Sequence, residues 1–329
     1  MFSNQSPDQN SLFGSFVYDH VIPNDHLLKK LSKAIDFSFV EDETRDFYSH
    51  TGRPGLSPVM LFKCCLIAFL YDISDRRLED EIDYHIVFKW FVGLDIDQKS
   101  PDHSTMTRFR DRLGEEGFRR LFNRIVELTR EAGLIDDRLT IIDSTHVTAN
   151  VDVGRLKQHK QDDDDNSYVD RHSPDPDARF GRKSKSKGFY GYKDHVAIDA
   201  DSGIITAIET TPGNVPDRDM FIPLITGQPR AATADKAYDA APNWSYLESR
   251  SIQAAIIPME RSRGRPPSAE RQRSWIERKF AEMKRYHGKR RCRWIGLLKA
   301  TIQALLTCAV VNLKTLVRRL DGPTAVEYA

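Results

Sequence analysis

The chain reads as an α/β protein, a mixed sheet flanked by helices and preceded by an all-helical N-terminal domain. Three observations predict this. Up to about residue 132 the apolar residues recur at helical spacing. From Arg138 onward, short β-branched runs alternate with helical stretches, in the order strand, long insert, two strands, helix, strand, helix, strand, helix. Helices interleaved with strands in this way share one α/β core instead of forming separate layers. A length of 329 residues holds such a core, and 40% apolar with 29% charged residues excludes a disordered chain. The expected division is a helical domain over 1–132, an α/β domain over 133–295, and a C-terminal helix over 296–329 packed on that core.

In the first part, Leu27-Leu28, Phe37 and Phe39 mark short helices. Ser57-Pro58 reads as an N-cap followed by the first helical residue. The LFKCCLIAFLYDI that follows is apolar nearly all round, as in a helix buried within a bundle. A further helix begins at Ser74 or Asp75 and runs through Leu78, Ile82 and Ile86. In PDHSTMTRFRDRLG, Ser104 is the expected cap, Met106, Phe109 and Leu113 the buried stripe, and Gly114 the terminator, with one more helix over 116–132. Arg108 and Arg112 fall together on the outside, either as a solvated face or as a surface that reads DNA.

Leu139–Ile142 is a β-branched run that ends on Asp143, the pattern of a buried strand. The polar segment at about 152–187 carries Asp162–Asp165 and then RFGRKSKSKG. It is expected to be a mobile loop whose basic end lies on phosphates. YKDHVAID (Tyr192–Asp199) and IITAIETT (Ile204–Thr211) flank the turn Ala200–Gly203 as a hairpin. A helix is predicted near Asp217–Ile225, a strand over Ala231–Ala234 leading into Asp235, a helix over Asn243–Ser251 and a strand over Ala254–Pro258. Pro266-Pro267 block any earlier helix start, so Ser268 is the expected N-cap of the last core helix. There Ile276, Phe280 and Met283 form an apolar stripe, and Arg273, Glu277 and Lys284 share a neighbouring face.

The formal net charge is only +1, yet the charges are segregated. Residues 261–293 hold 13 Lys and Arg against three acids, in contrast to the acidic run at 162–165. Such asymmetry points to an anionic partner. The four cysteines have no CxxC or Cys/His spacing and read as reduced thiols. The N-terminus lacks a signal pattern, and the weakly polar run Ala300–Val311 reads as too short to span a bilayer, so a soluble, cytoplasmic protein with no membrane partner is expected.

Asp143 and Asp235 each end a predicted strand, and Glu277 faces out from a helix. In open α/β sheets, sites gather at the carboxyl ends of strands. Acids from separate elements can meet there and hold hard divalent cations through oxygen. Glu277 in its basic surroundings also fits a plain surface ion pair. Among rival acids, Asp199 is explained by the hairpin turn, Asp194 and Asp152 lack a clean preceding strand, and Asp239 reads as a second-layer group or a helix cap.

Beyond spacing, the chain resembles the bacterial insertion-sequence transposases of the DDE type over nearly its whole length. GRPGLSPVMLFK and PDHSTMTRFRDRL are similar to that family's N-terminal domain. IIDSTHVTAN carries the first Asp, Asp143, and ATADKAYD the second, Asp235, with YGYKDHVAIDADSG and TPGNVPD between them. Arg273, Glu277 and Lys284 match the signature Tyr-x2-Arg-x3-Glu-x6-Lys, whose tyrosine position is Glu270 here. The resemblance implies a ribonuclease H-like core and a catalytic triad of Asp143, Asp235 and Glu277 holding two Mg2+ or Mn2+ ions. It implies cutting at the element's terminal inverted repeats and transfer of the 3′-hydroxyl to target DNA, by a homodimer assembled on DNA in the nucleoid. The alternatives are a non-catalytic DNA-binding relic or a simple nuclease of the same fold. It further implies phosphate contacts from Arg273 and Lys284, continued by Arg285, Lys289, Arg290 and Arg291 as a salt-sensitive track. His146 and Asp239 become second-layer candidates. Trp275 and Trp294 are expected in the core, with stacking on an extruded base as the other reading.

Overall fold

The computed structural model describes residues 11–49, 55–158, 165–184, 187–259 and 269–321. The chain divides into two units, one built from 1–125 with 309–329, the other from 126–308.

The first unit is helical: α1 (Leu12–Val21), α2 (Leu27–Ala34), α3 (Phe39–Thr44), a 3₁₀ turn at Arg45–Phe47, α4 (Pro58–Leu70), α5 (Asp75–Tyr84), α6 (Ile86–Val92) and most of α7 (His103–Glu131), with the later turns of α13 (Leu297–Asp321). The Ser57 hydroxyl accepts from the Met60 amide, and Pro58 opens α4, as the sequence predicts. Ten of the thirteen α4 residues are buried, which is why its apolar surface is continuous instead of striped. The cap of α7 differs from expectation. Asp102 Oδ1 accepts from the Ser104 amide at 2.7 Å, so the aspartate two residues earlier does the capping. Gly114, at φ +56, interrupts the α7 helix where the sequence places a break.

The second unit is a six-stranded mixed sheet: β1 (Leu139–Thr148), β2 (Arg179–Ser184), β3 (Lys187–Asp199), β4 (Ile205–Pro212), β5 (Ala231–Ala234) and β6 (Gln253–Ala254). Around it lie α8 (Val153–Gln158), α9 (Asp165–His172), α10 (Phe221–Leu224), α11 (Ala241–Ser249), α12 (Ala269–Tyr286) and the start of α13. β3 is central to the antiparallel half. It pairs along one edge with β1 and along the other with β4 and then β2. β1 pairs in parallel with β5, and β5 with β6. Four strands joined by antiparallel pairings, β1 to β4, continued by the parallel strands β5 and β6, with helices packed on them, make the ribonuclease H-like arrangement expected from the sequence. Gly191 (φ +152) sits where β3 changes partner; a Cβ there would stand 2.2 Å from the Val147 carbonyl oxygen.

Three expectations change. β1 does not stop at Asp143, because antiparallel pairing with β3 carries it on to Thr148. The polar insert is not a structureless loop in its described parts: it contains α8, α9 and β2, and Val169 and Ala178 are fully buried. Asp175 Oδ1 accepts from the Tyr192 hydroxyl at 2.6 Å, and Asp177 Oδ2 accepts from the Leu297 amide at the start of α13 at 2.9 Å. A few well-placed groups thus anchor a segment whose average composition is polar. Asp162–Asp164 of the acidic run, like Ser268, lie outside the described residues. The third change is α13, whose 25 residues are long and apolar enough to cross a membrane, although 94% of its most apolar window is buried inside the protein. It is a core helix by burial.

Candidate active site

Asp143 and Asp235 leave neighbouring parallel strands at the same level. The β1/β5 register runs from Leu139↔Ala231 to Ile142↔Ala234, so the next residue on each strand is the aspartate. Strand spacing puts their backbones about 5 Å apart. Both side chains are half-buried. Asp143 Oδ1 accepts from the Ser144 amide at 2.7 Å. Asp235 Oδ1 caps the 3₁₀ turn Lys236–Tyr238 by accepting from the Ala237 amide at 2.8 Å.

α12 packs on β1 and β5, burying the predicted stripe of Ile276, Phe280 and Met283. Glu277 follows Ile276 and is exposed. Among the described residues, the trios of ligating side chains whose atoms lie within 4.8 Å of one another are Glu79/Asp102/His103 and Asp136/Asp199/Asp201. Neither is the predicted triad, so Asp143, Asp235 and Glu277 are spread more widely than a single-ion cluster. Mutual repulsion between carboxylates favours that spread. An all-oxygen donor set on adjacent strand ends suits hard divalent cations.

The basic residues separate into two kinds. Arg285, Arg290 and Arg291 are exposed, and Lys284 is half-buried. The segment 290–292 runs along the end of β1: the Thr148 amide donates to the Arg290 carbonyl at 3.1 Å, and the Cys292 amide donates to the Thr148 carbonyl at 2.8 Å. Lys289 is a correction. It is fully buried, its Nζ lies 3.1 Å from Asp194 Oδ2, and it cannot reach a phosphate from there. The side chains of Arg273 and Glu270 lie outside the described residues. Trp275 also departs from expectation, being 41% exposed with the Arg278 guanidinium 5.4 Å from its ring centre. Trp294 is half-buried. His146 is three residues beyond Asp143 and so on the other face of β1, its ring against Phe189 at 5.1 Å. Asp239 accepts from Trp244 Nε1 and from the Met259 amide, both at 2.7 Å, which ties α11 to the segment after β6.

A polar cluster that the sequence reading passed over lies on the face of the sheet opposite Asp143. Lys193 Nζ donates to Asp217 Oδ1 and to the Val215 carbonyl, both at 2.7 Å. His195 is fully buried, with Nε2 2.8 Å from Thr211 Oγ1 and Nδ1 3.8 Å from Asp217. Burial brings its imidazole down to about 4, against the opposing pull of Asp217. Lys193 and His195 stand two apart in YKDHVAID, with Asp194 between them and facing the other way. Polar residues at a period of two in a buried strand were the available signal.

Family models match both parts of the chain. A family model described as a transposase domain (DUF772) matches residues 16–112, and one described as a transposase DDE domain matches 135–313. Among solved structures, the chain is similar to the piggyBac transposase in a synaptic complex with hairpin DNA. The identity is 13%, over 92% of this chain and 81% of that one, and the TM-score of 0.34 is too low to bear on function.

Proposed function

The chain belongs to the DDE transposases of insertion sequences, and from that premise we propose that it cuts the ends of its own element and joins the 3′-hydroxyl to target DNA with two divalent cations, Mg2+ or Mn2+. The observation that carries this reading is the β1/β5 register, which delivers Asp143 and Asp235 side by side beside a helix bearing Glu277. In this reading the three carboxylates hold the cations. When bound, such ions activate water or a 3′-hydroxyl and stabilise the leaving oxygen. The protein's own part is to fix the carboxylates and to align the DNA. Arg273, Lys284, Arg285, Arg290 and Arg291 hold the phosphates that flank the scissile bond. No covalent protein–DNA intermediate is needed, because no side chain has to act as the nucleophile. Two element ends must be brought together, so the acting form is a homodimer on DNA, in the bacterial cytoplasm.

The test is cleavage and joining of DNA carrying the element's own ends, with Mg2+ or Mn2+, by the wild type and by Asp143→Asn, Asp235→Asn and Glu277→Gln. The expected result is an active wild type and three silent variants that still bind DNA. Variants that cleave like the wild type would remove this site. Binding without cleavage by the wild type would favour the DNA-binding relic.

A further inference from the structure

The hairpin turn that explains Asp199 occupies only one of its carboxylate oxygens. Asp199 ends β3 and is 2% exposed. Its Oδ2 accepts from the Ser202 amide at 2.8 Å and from the Ser202 hydroxyl at 2.6 Å. Its Oδ1 is out of solvent and has no hydrogen-bond partner within the protein. One ligating oxygen each from Asp136, Asp199 and Asp201 lie within 4.8 Å of one another, and Asp136 and Asp201 are both exposed. The trio is held in place by the backbone. The Ala200 amide donates to the Leu139 carbonyl at 2.9 Å, the Gly203 amide to the Asp199 carbonyl at 2.8 Å, and the Arg138 amide to Asp136 Oδ1 at 2.9 Å. Burial holds the Asp199 carboxyl above its ordinary range against the hydrogen bonds of Ser202, and Asp136 and Asp201 add to the rise.

A buried carboxylate oxygen set against two further carboxylates is unfavourable unless a cation joins them. Arg138 neutralises part of the cluster, its guanidinium donating to both oxygens of Asp201 and leaving each a further lone pair. Lys279 comes up beside the turn, its Cε 3.1 Å from where a Cβ on Gly203 would stand. Three carboxylates against these two cations still leave negative charge, and neither cation donates to Asp199 Oδ1. The donors are all oxygen, as hard divalent cations require. Asp199 and Asp201 also stand two residues apart, the spacing at which calcium loops present successive ligands. We propose that Asp136, Asp199 and Asp201 form a separate, structural site for one hard divalent cation of the Ca2+ class, with Asp199 Oδ1 as its inner ligand and water on the open side. The site lies apart from the candidate active site. Asp199 pairs with Thr140, three residues before Asp143 on β1, and strand alternation puts the two acids on opposite faces of the sheet. A cation here pins the β3–β4 turn to the start of β1. The inference does not rest on the transposase reading.

The experiment measures Ca2+ binding by calorimetry, and melting temperature with and without Ca2+, on the full-length chain. The reference is the double variant Asp143→Asn with Asp235→Asn, which removes two carboxylates of the candidate active site. Asp136→Asn or Asp199→Asn is then added to it. The reference should bind one Ca2+ and melt a few degrees higher when Ca2+ is about a hundredfold above half-saturation. Asp136→Asn keeps the acceptor for the Arg138 amide and should weaken Ca2+ binding about tenfold, because one charged ligand is lost. Asp199→Asn should abolish both the binding and the melting shift. If Asp199→Asn fails to fold, the exposed Asp136→Asn decides the matter alone. A reference variant that binds no Ca2+ overturns the proposal, since the ion then sits only at the candidate active site or nowhere. Ca2+ binding unchanged by Asp136→Asn puts the ion elsewhere on the protein and overturns it as well.

Discussion

Lys193 and Asp194 are neighbours on β3 that face opposite sides of the sheet, and each forms a lysine–aspartate pair of a different kind. Asp194 meets Lys289 with both side chains almost wholly out of solvent, at 0% and 1% exposure, and also accepts from Thr210 Oγ1 at 2.9 Å. Lys193 meets Asp217 at 2.7 Å with 14% and 20% left exposed. The first pair joins the segment after α12 to the sheet, so it holds together elements far apart in sequence. The second lies beside His195 and Tyr238, behind the candidate site. A dry pair has large opposing desolvation and Coulomb contributions, and breaking one half leaves an uncompensated buried charge. A partly wet pair can be relieved by water. The same two residue types thus form a dry tie on one face and a partly hydrated pair on the other.

The largest effect expected from this contrast is on the dry pair. Asp194→Ala or Lys289→Met should each destabilise by about 3–5 kcal/mol in urea unfolding. The double variant Asp194→Leu with Lys289→Met should recover most of that loss, because no lone charge remains. If the single variants cost less than about 1 kcal/mol, water reaches the pair and the contrast with Lys193 disappears.

His195 gives the next effect. Its folded value of about 4 lies below the unfolded 6.5, so the unfolded chain takes up the proton first as the pH falls. The stability contribution is present above pH 6.5 and is lost between 6.5 and about 4, by up to roughly 3 kcal/mol. Stability against pH for the wild type minus that for His195→Gln isolates this slope from other groups. A flat difference curve would show that His195 is solvated.

The smallest effect separates two neighbours in the basic run. Arg290→Ala should change unfolding stability by less than about 0.5 kcal/mol, in contrast to Lys289→Met. It should lower DNA affinity and reduce the slope of log affinity against log salt by about 0.9, read by fluorescence anisotropy across a salt series. An unchanged slope would take Arg290 off the phosphate track.

Legibility from sequence followed the range of the interactions. The Ser57-Pro58 start of α4, the break at Gly114, the turn before Gly203 and the run Ala231–Ala234 into Asp235 are local chemistry, and each is where the sequence places it. Caps, left-handed glycines and short β-branched runs act within a few residues, so their signals survive in the chain alone. Order within the insert was hidden because composition averages over a segment, whereas Val169, Ala178, Asp175 and Asp177 act one by one through distant partners.

The sequence by itself therefore determined the mixed α/β class, the helical N-terminal part, the end of β5 just before Asp235 and the helix that carries Glu277. Only the tertiary structure decided that β1 runs on to Thr148, that Lys289 turns inward to Asp194 while Arg290 stays outside, and that Tyr238 packs with Ile142 and Ala234 in the core. The physical reason is that side-chain burial and strand pairing depend on partners roughly fifty to a hundred residues away in the chain, and one basic run reads the same whether a given lysine meets solvent or a buried carboxylate.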